Sequence, residues 1–179
     1  SDSIICKHRR LVMQGGCYNS PMVKKALNKV DTNESCPPSD ENIGIIEHQL
    51  IPVLYDLDCA RRLDSAARHT GRSVDYHLKV DTGMGRLGFR VERLDEVLPV
   101  LKNLKSLNMS GLMSHLAVAD EPERPLTAAQ CDAFADVVAT VEKGGFRPFY
   151  KHIANSAGIY GRALNGCNLV RPGISLYGG

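Results

Sequence analysis

The densest group of chemically capable side chains lies in residues 77–88 (HLKVDTGMGRLG), where a predicted strand runs into a glycine-rich turn. Side chains alternate between the two faces of a strand, so His77, Lys79 and Asp81 share one face. Ionisable groups on a buried strand face are costly unless they pair or line a site. Arg86 follows among glycines, where a backbone can approach a ligand closely. The pattern therefore predicts a functional site at the end of this strand.

Three further stretches place polar residues at the ends of predicted strands, and they add these candidate site residues: His115, Asp120, His152, Asn155, Ser156, Arg171, Gly173 and Ile174. The last two stretches suggest a phosphate site, because phosphate in a (β/α)8 barrel commonly binds the loops after the last two strands. Ser156 offers a hydroxyl, and Gly173 and Ile174 offer backbone N–H groups. Arg171 lies on the same strand face as Gly173 and would point towards the group that the phosphate anchors.

The elements that would position these residues alternate between strand and helix. Predicted strands cover residues 11–13, 50–55, 76–81, 109–116, 150–156 and 169–176, and predicted helices cover residues 20–27, 58–68, 91–107 and 127–143. This alternation indicates an α/β chain with a parallel sheet, either doubly wound or a (β/α)8 barrel. Charged residues at the strand ends favour the barrel. We predict a partial TIM-type barrel with about strands 3 to 8, and a loop at residues 31–42.

Composition argues against several classes of function. A hydrophobic content of 43% and a charged content of 23% are ordinary for a globular protein, and a net charge of +2 gives no reason to expect binding to nucleic acid or to an acidic membrane surface. We also find no apolar stretch long enough to cross a bilayer. The six cysteines are scattered and form no C-x-x-C pair. This pattern favours free thiols in a cytoplasmic protein without a metal site.

Two short motifs in the first stretch match other kinds of site. Residues 83–88 have the G-x-G-x-x-G spacing of a dinucleotide-binding turn, but Lys79 and Asp81 are unlike the strand that precedes such a turn. Residues 81–83 (DTG) match the aspartic-protease triplet, which needs an all-β chain. The alternation of strands and helices disfavours both alternatives.

Together, four ordered motifs resemble the N-terminal barrel domain of alanine racemase, a fold-type III enzyme that uses pyridoxal 5'-phosphate. The motifs are residues 77–88, SHLA at 114–117 with Asp120, HIANSA at 152–157, and VRPGI with LYG within 170–178. They match the family in order and spacing. The resemblance implies a cytoplasmic homodimer that interconverts L- and D-alanine and so supplies D-alanine for peptidoglycan.

The resemblance also assigns residues to the cofactor. Arg171 would hydrogen-bond the pyridine nitrogen, and because arginine stays protonated, it would not give that nitrogen a proton. His152 would support Arg171 from behind. The remaining cofactor contacts would come from Asn155, Ser156, Gly173 and Ile174.

On the substrate side, the resemblance places Arg86 near the phenolic oxygen of the cofactor and the carboxylate of the substrate. Lys79, which is often carbamylated in such enzymes, would orient Arg86. His115 would face the catalytic tyrosine of a second subunit, and Asp120 would lie towards the substrate entrance.

Two catalytic parts of the family do not occur in this sequence, namely the cofactor-binding lysine in its K-x-x-x-Y-G-x-G motif and the C-terminal β-domain with the catalytic tyrosine. Racemisation needs a proton removed on one face and delivered on the other. We therefore expect residues 1–179 to be one partial barrel domain and to be inactive alone; turnover of alanine by the isolated chain would contradict this. The alternative is a non-catalytic barrel that binds pyridoxal phosphate, which Arg86 and Arg171 disfavour.

Overall fold

The computed structural model describes residues 4–5, 11–13, 40–121, 123–161 and 166–178. Its strands are β1 (Ile4–Ile5), β2 (Leu11–Met13), β3 (Ile51–Leu54), β4 (Val74–Asp81), β5 (Phe89–Arg90), β6 (Leu107–Met113) and β7 (Tyr150–His152). Its helices are α1 (Asp40–Glu47), α2 (Leu57–His69), α3 (Leu94–Asn103), α4 (Pro125–Lys143) and α5 (Ser156–Gly161), with 3-10 turns at Val91–Arg93 and Gly173–Tyr177.

The strands form one sheet in the order β1-β2-β3-β4-β6-β7, with β5 beside β4. β1 is antiparallel to β2, and the other pairs are parallel. Within the described residues, this order runs from one edge to the other without closing on itself. Helices α2 and α4 connect successive parallel strands, as βαβ units require. The predicted α/β class and partial barrel are confirmed.

The two faces of β4 have different surroundings. Tyr76, Leu78 and Val80 are buried in the main hydrophobic core, which they share with residues of α2, α3 and α4. His77 and Lys79 alternate with them along the strand and therefore lie on the opposite face, which we call the inner face of the sheet. There they are 0% and 2% exposed. A separate apolar cluster is formed by Ile51, Val53 and Met113.

The pairing of β4 with β6 changes register once. Tyr76 pairs with Met109, but His77, the next residue of β4, pairs with Gly111. Ser110 is therefore the extra residue of a β-bulge, and its hydroxyl donates to the carbonyl of Tyr76 over 3.2 Å. Beyond the bulge, Gly111 lies beside His77 on the inner face.

Helix α2 confirms the helix predicted at residues 58–68, and Asp56 caps it by accepting a hydrogen bond from the Cys59 N–H (2.9 Å). The loop prediction for residues 31–42 is wrong at its end, because α1 begins at Asp40. Acidic residues at this end of a helix are favourable, so the polar composition marked a helix start. The other residues of that loop and the helix predicted at 20–27 lie outside the described residues.

The helix predicted at residues 91–107 is too long. A 3-10 turn comes first, and α3 then ends at Asn103. Leu104 and Leu107 still pack against the core, although they lie beyond the helix. Their apolar spacing therefore continued the helical pattern without continuing the helix.

The strand predicted at residues 169–176 is also wrong, because the structure assigns no strand to these residues. The backbone N–H of Asn168 donates to Lys151 (3.0 Å) and that of Arg171 donates to Ala154 (3.1 Å), so this segment runs beside β7 only as far as Arg171. Pro172 has no N–H with which to continue. The 3-10 turn follows at once.

The described part of the chain gives three further facts. Cys59 and Cys167 are free thiols. Among the described residues, no helix is long and apolar enough to cross a membrane. Within the same residues, no group of His, Cys, Asp or Glu is arranged to hold a metal ion.

Asp64 joins α2 to the loop before β6, and its removal is expected to destabilise the fold. The buried carboxylate accepts from the Ser106 N–H over 2.9 Å and pairs with Arg68 at 3.0 Å. Asp64→Ala should lower the free energy of unfolding by about 1–3 kcal/mol, since it leaves a part-buried N–H without its acceptor. Urea denaturation measures the change. Asp58→Ala, at an exposed ion pair with Arg61, should change it by less than about 0.5 kcal/mol; equal losses would contradict the prediction.

Candidate functional site

Arg171 lies at the centre of the candidate site, where the ends of β6 and β7 meet. Its side chain is 2% exposed. Its Nη2 donates to the carbonyl of Ser114 over 2.7 Å and to that of Ile153 over 3.3 Å. Because these carbonyls follow two neighbouring strands, the guanidinium fixes the two strand ends relative to each other.

Three histidines extend from this guanidinium. Arg171 Nη1 hydrogen-bonds His152 Nδ1, and Nη2 lies 3.1 Å from His115 Nδ1. Arginine can only donate, so both imidazoles accept at Nδ1 and carry their proton on Nε2. His152 Nε2 then donates to His77 Nδ1 over 2.9 Å. The order of donation is therefore fixed from Arg171 outwards.

Burial and the charge of Arg171 together keep the two buried histidines neutral. Burial, and then the charge of Arg171, lower the pKa of His77 to about 4, although Asp75 acts in the opposite direction. Burial, Arg171, His77 and Lys79 lower the pKa of His152 well below its usual value. At neutral pH, both rings are therefore uncharged hydrogen-bonding groups and Arg171 remains the cation.

Gln130, which the sequence analysis did not assign to the site, connects three of its segments. The helix predicted to begin at residue 127 begins at Pro125, so Thr127 and Gln130 both lie inside α4. The fully buried amide of Gln130 accepts from the Ala117 N–H and donates to the His115 carbonyl, each over 2.9 Å. Thr127 and Gln130 match the S/T-x-x-E/Q pattern of a capping box, and this pattern is the sequence signal that marks Gln130.

The hydroxyl groups of Thr82 and Ser114 complete the connection between the loops. They lie 2.8 Å apart, and Gln130 Nε2 lies 3.5 Å from Thr82 Oγ1. The glycine-rich loop after β4 is thereby held to the loop after β6.

The glycine-rich loop does not offer its backbone to a phosphate. Asp81 Oδ1 accepts from the N–H groups of Gly83 (2.9 Å), Met84 (2.8 Å) and Gly85 (3.1 Å). Partial burial acts to raise the pKa of Asp81, but these backbone bonds outweigh it, so the pKa is lowered. The N–H groups that a dinucleotide phosphate would need are already bound within the chain.

The depressed pKa of Asp81 predicts a pH-dependent stability. Asp81→Asn should lower the free energy of unfolding by about 1 kcal/mol at pH 7, because hydrogen bonds to a charged acceptor are stronger. The carboxylate contributes fully above its unfolded-state pKa, about 3.9, and its contribution is lost as the pH falls through the lower folded-state pKa. Urea denaturation from pH 7 to about 3 should therefore show the two chains converging. A difference that does not narrow would contradict this, and Asp58→Asn is the exposed control.

A second group of polar atoms lies where α5 meets the 3-10 turn. The N–H of Ser175 donates to Ser156 Oγ over 3.3 Å. The hydroxyl of Ser175 is buried and has no hydrogen-bond partner among the described residues. Asn155 holds this region to the loop after β6, since its Nδ2 donates to the Leu116 carbonyl over 3.3 Å. The two serines and the Gly173 turn form a polar corner that suits an anion.

Comparison with known protein families identifies the family to which this arrangement of residues belongs. The model of the family described as alanine racemase, N-terminal domain, matches residues 33–179. The chain belongs to this family.

Individual alanine racemases agree with the family match. The enzyme of Geobacter sulfurreducens is 46% identical over 132 residues, which is 72% of this chain and 35% of that protein. The crystal structure of the enzyme from D-cycloserine-producing Streptomyces lavendulae has 32% identity and a TM-score of 0.74, over 80% of this chain and 38% of that one. The Bartonella henselae enzyme, with covalently bound pyridoxal phosphate, has 25% identity and a TM-score of 0.64, over 76% and 37%. The chain thus spans about a third of the length of these relatives.

The structure brings together only part of the predicted alanine racemase site. Arg171 contacts both His152 and His115. Lys79 is buried close enough to His152 to lower the pKa of that histidine. Arg86 and Asp120 are exposed, and the described residues form no hydrogen bond or ion pair with either side chain. The predicted alignment of Arg86 by Lys79 therefore stays a prediction.

Proposed function

We propose that this chain supplies the cofactor-binding barrel of an alanine racemase. The observation that carries the proposal is the buried Arg171, which is held at the ends of β6 and β7 by Ser114, Ile153 and two histidines. A buried cation needs several hydrogen bonds to offset its desolvation. Such a fixed guanidinium suits a neutral ring nitrogen as acceptor.

The residues present fit pyridoxal 5'-phosphate. Ser156 and the backbone N–H groups of Gly173 and Ile174 would hold the phosphate. The buried hydroxyl of Ser175, which has no hydrogen-bond partner among the described residues, supports an anion there. Arg171 would hold the ring nitrogen, with His152 behind it and Asn155 fixing the loop. When bound, the cofactor supplies the electron-withdrawing ring that acidifies the α-proton of an amino acid. The Bartonella henselae relative carries this group.

The remaining predicted roles concern the substrate and the assembly. Arg86 would bind the carboxylate of alanine, Asp120 would lie at the substrate entrance, and a carbamylated Lys79 would orient Arg86. His115, which accepts from Arg171, would face a tyrosine of the second subunit of a homodimer. The product D-alanine would serve peptidoglycan synthesis in the cytoplasm.

Cofactor binding is tested by titrating the chain with pyridoxal phosphate and following its absorbance. Pyridoxal phosphate should bind more tightly than pyridoxal, and Ser156→Asp should weaken its binding by about tenfold or more, because like charges would face each other. Ser65→Asp, on the exposed face of α2, is the matched control. Equal affinity of both variants for pyridoxal phosphate would overturn the phosphate assignment.

The activity is tested in a chimera in which residues 50–178 replace the matching segment of the Geobacter sulfurreducens enzyme. The chimera should convert L-alanine to D-alanine, and Arg171→Leu should abolish this conversion. A folded chimera that binds pyridoxal phosphate without racemising alanine would favour the non-catalytic binding barrel instead.

A further inference from the structure

His77 is buried beside the candidate site and has no role in the proposed function. Its ring is 0% exposed, its Nδ1 lies 2.9 Å from His152 Nε2, and its centroid lies 5.7 Å from that of Tyr150. The other ring nitrogen, Nε2, has no hydrogen-bond partner among the described residues. A core position that needed only volume would be filled better by an apolar side chain.

The ring of His77 occupies the space that a side chain at position 111 would need. A Cβ on Gly111 would lie 2.3 Å from His77 Cδ2 and 2.4 Å from Nε2. Gly111 does not have a positive φ, so its backbone conformation does not require glycine. The absence of a side chain at this position is therefore explained by the ring.

The two bonds of His152 lie on opposite sides of its ring. Nδ1 accepts from Arg171, and Nε2 donates to His77. A ring held at both nitrogens keeps its position and its plane, whereas a ring held at Nδ1 alone leaves a buried N–H unsatisfied. Rotation of His152 to satisfy that N–H would break its bond with Arg171.

We infer that His77, seated against Gly111, is a positioning residue that fixes the ring of His152 and through it the guanidinium of Arg171. The inference rests on the proposed function only for what Arg171 serves, since the positioning can be measured without a cofactor. His77 does not touch Arg171 through a hydrogen bond of its own, and it acts on the proposed binding site of the pyridine nitrogen through His152.

The test compares His77→Leu, which cannot accept a hydrogen bond, with His77→Asn, whose side-chain oxygen can accept from His152. In a chain labelled with 15N in histidine and arginine, NMR reports the ring nitrogens of His152 and the exchange of the Arg171 guanidinium protons with water. His77→Leu should shift the His152 signals and speed the Arg171 exchange by about tenfold or more. His77→Asn should stay closer to the parent chain, which a role in volume alone would not produce.

The packing of the His77 ring against Gly111 is tested separately by adding a side chain at position 111. Gly111→Ala should displace the ring and reproduce the NMR changes of His77→Leu. His77→Ala removes the ring that a Cβ at position 111 would meet. In that background, Gly111→Ala should cause little further change in the NMR signals, so the effects of the two substitutions should be strongly non-additive. If His77→Leu does not fold, this pair and His77→Asn decide the question.

Two results would overturn the inference: unchanged His152 and Arg171 signals in folded His77→Leu, or additive effects of Gly111→Ala and His77→Ala. The affinity for pyridoxal phosphate is measured in parallel. A parent chain that does not bind it would contradict the proposed function, while the NMR comparison still decides whether His77 positions Arg171.

Discussion

Replacing Arg171 with Leu is expected to lower the free energy of unfolding by about 3–5 kcal/mol. Two opposing effects enter this value. The substitution removes the cost of burying a cation, but it leaves the carbonyls of Ser114 and Ile153 and the Nδ1 of His152 without their donor. The second effect wins, because several buried acceptors lose a partner at once. Total stabilities are about 5–15 kcal/mol, so urea denaturation should show a large shift.

The same substitution should also raise the pKa of His152, because the charge of Arg171 is the second largest cause of its depression after burial. Arg171→Lys should recover little, since one ammonium group cannot reach His152 and Ser114 in the geometry of the guanidinium fork. Arg61→Leu, at an exposed pair with Asp58, should change stability by less than about 0.5 kcal/mol. Similar losses for Arg171→Leu and Arg61→Leu would show that the network does not stabilise the fold.

Replacing Gly88 with Ala is expected to cost about 2–5 kcal/mol. Gly88 has a φ of +135°, and a Cβ there would lie 2.6 Å from the backbone nitrogen of Asp81 and 2.8 Å from the carbonyl carbon of Val80. A side chain can turn away from such a clash, but the backbone of β4 cannot. The glycine therefore allows β5 to lie beside the end of β4, where Phe89 pairs with Val80.

Two other glycines separate the causes of this loss. Gly85 has a φ of +70°, and no atom of the described residues lies within 4 Å of its Cβ position. Gly85→Ala should therefore cost only about 1–2 kcal/mol for the left-handed conformation. Gly44 lies in α1 without a positive φ, and no atom of the described residues lies within 4 Å of its Cβ position. Gly44→Ala should therefore stabilise the fold by about 0.4–1 kcal/mol. Urea denaturation should show the largest loss of unfolding free energy for Gly88→Ala, a smaller loss for Gly85→Ala and a gain for Gly44→Ala. A loss for Gly88→Ala no greater than that for Gly85→Ala would show that a clash with the backbone of β4 is not the cause.

The sequence predicted the features that depend on local period. Alternation along β4 separated His77 and Lys79 from Tyr76 and Leu78, and the structure buries the two sets on opposite faces. The ordered motifs at the strand ends also predicted which loops meet. Both predictions follow from short-range geometry, which parallel strands carry to a common edge.

Features that depend on contacts between distant segments could not be predicted in this way. Gln130 bonds backbone groups of residues 115 and 117, and nothing in its own neighbourhood names those partners. Apolar residues within 169–176 suggest an extended strand, but the structure has no strand there and forms a 3-10 turn after Pro172. Arg86 and Asp120 are exposed, and no described residue forms a hydrogen bond or ion pair with their side chains, so their roles rest on the motifs alone.

The extra residue at Ser110 decides which side chains of β6 meet the histidines. With an unbroken register, the partner of His77 would be Ser110, whose Cβ and hydroxyl would occupy the seat of the ring. The bulge moves the count by one residue and offers Gly111 instead. If the bulge were absent and the sequence unchanged, the residues of β6 after Met109 would move to the opposite faces of the sheet, and the imidazole would lose the space beside it. The register of β6 therefore decides which side chains face the histidines, in addition to the identity of its residues.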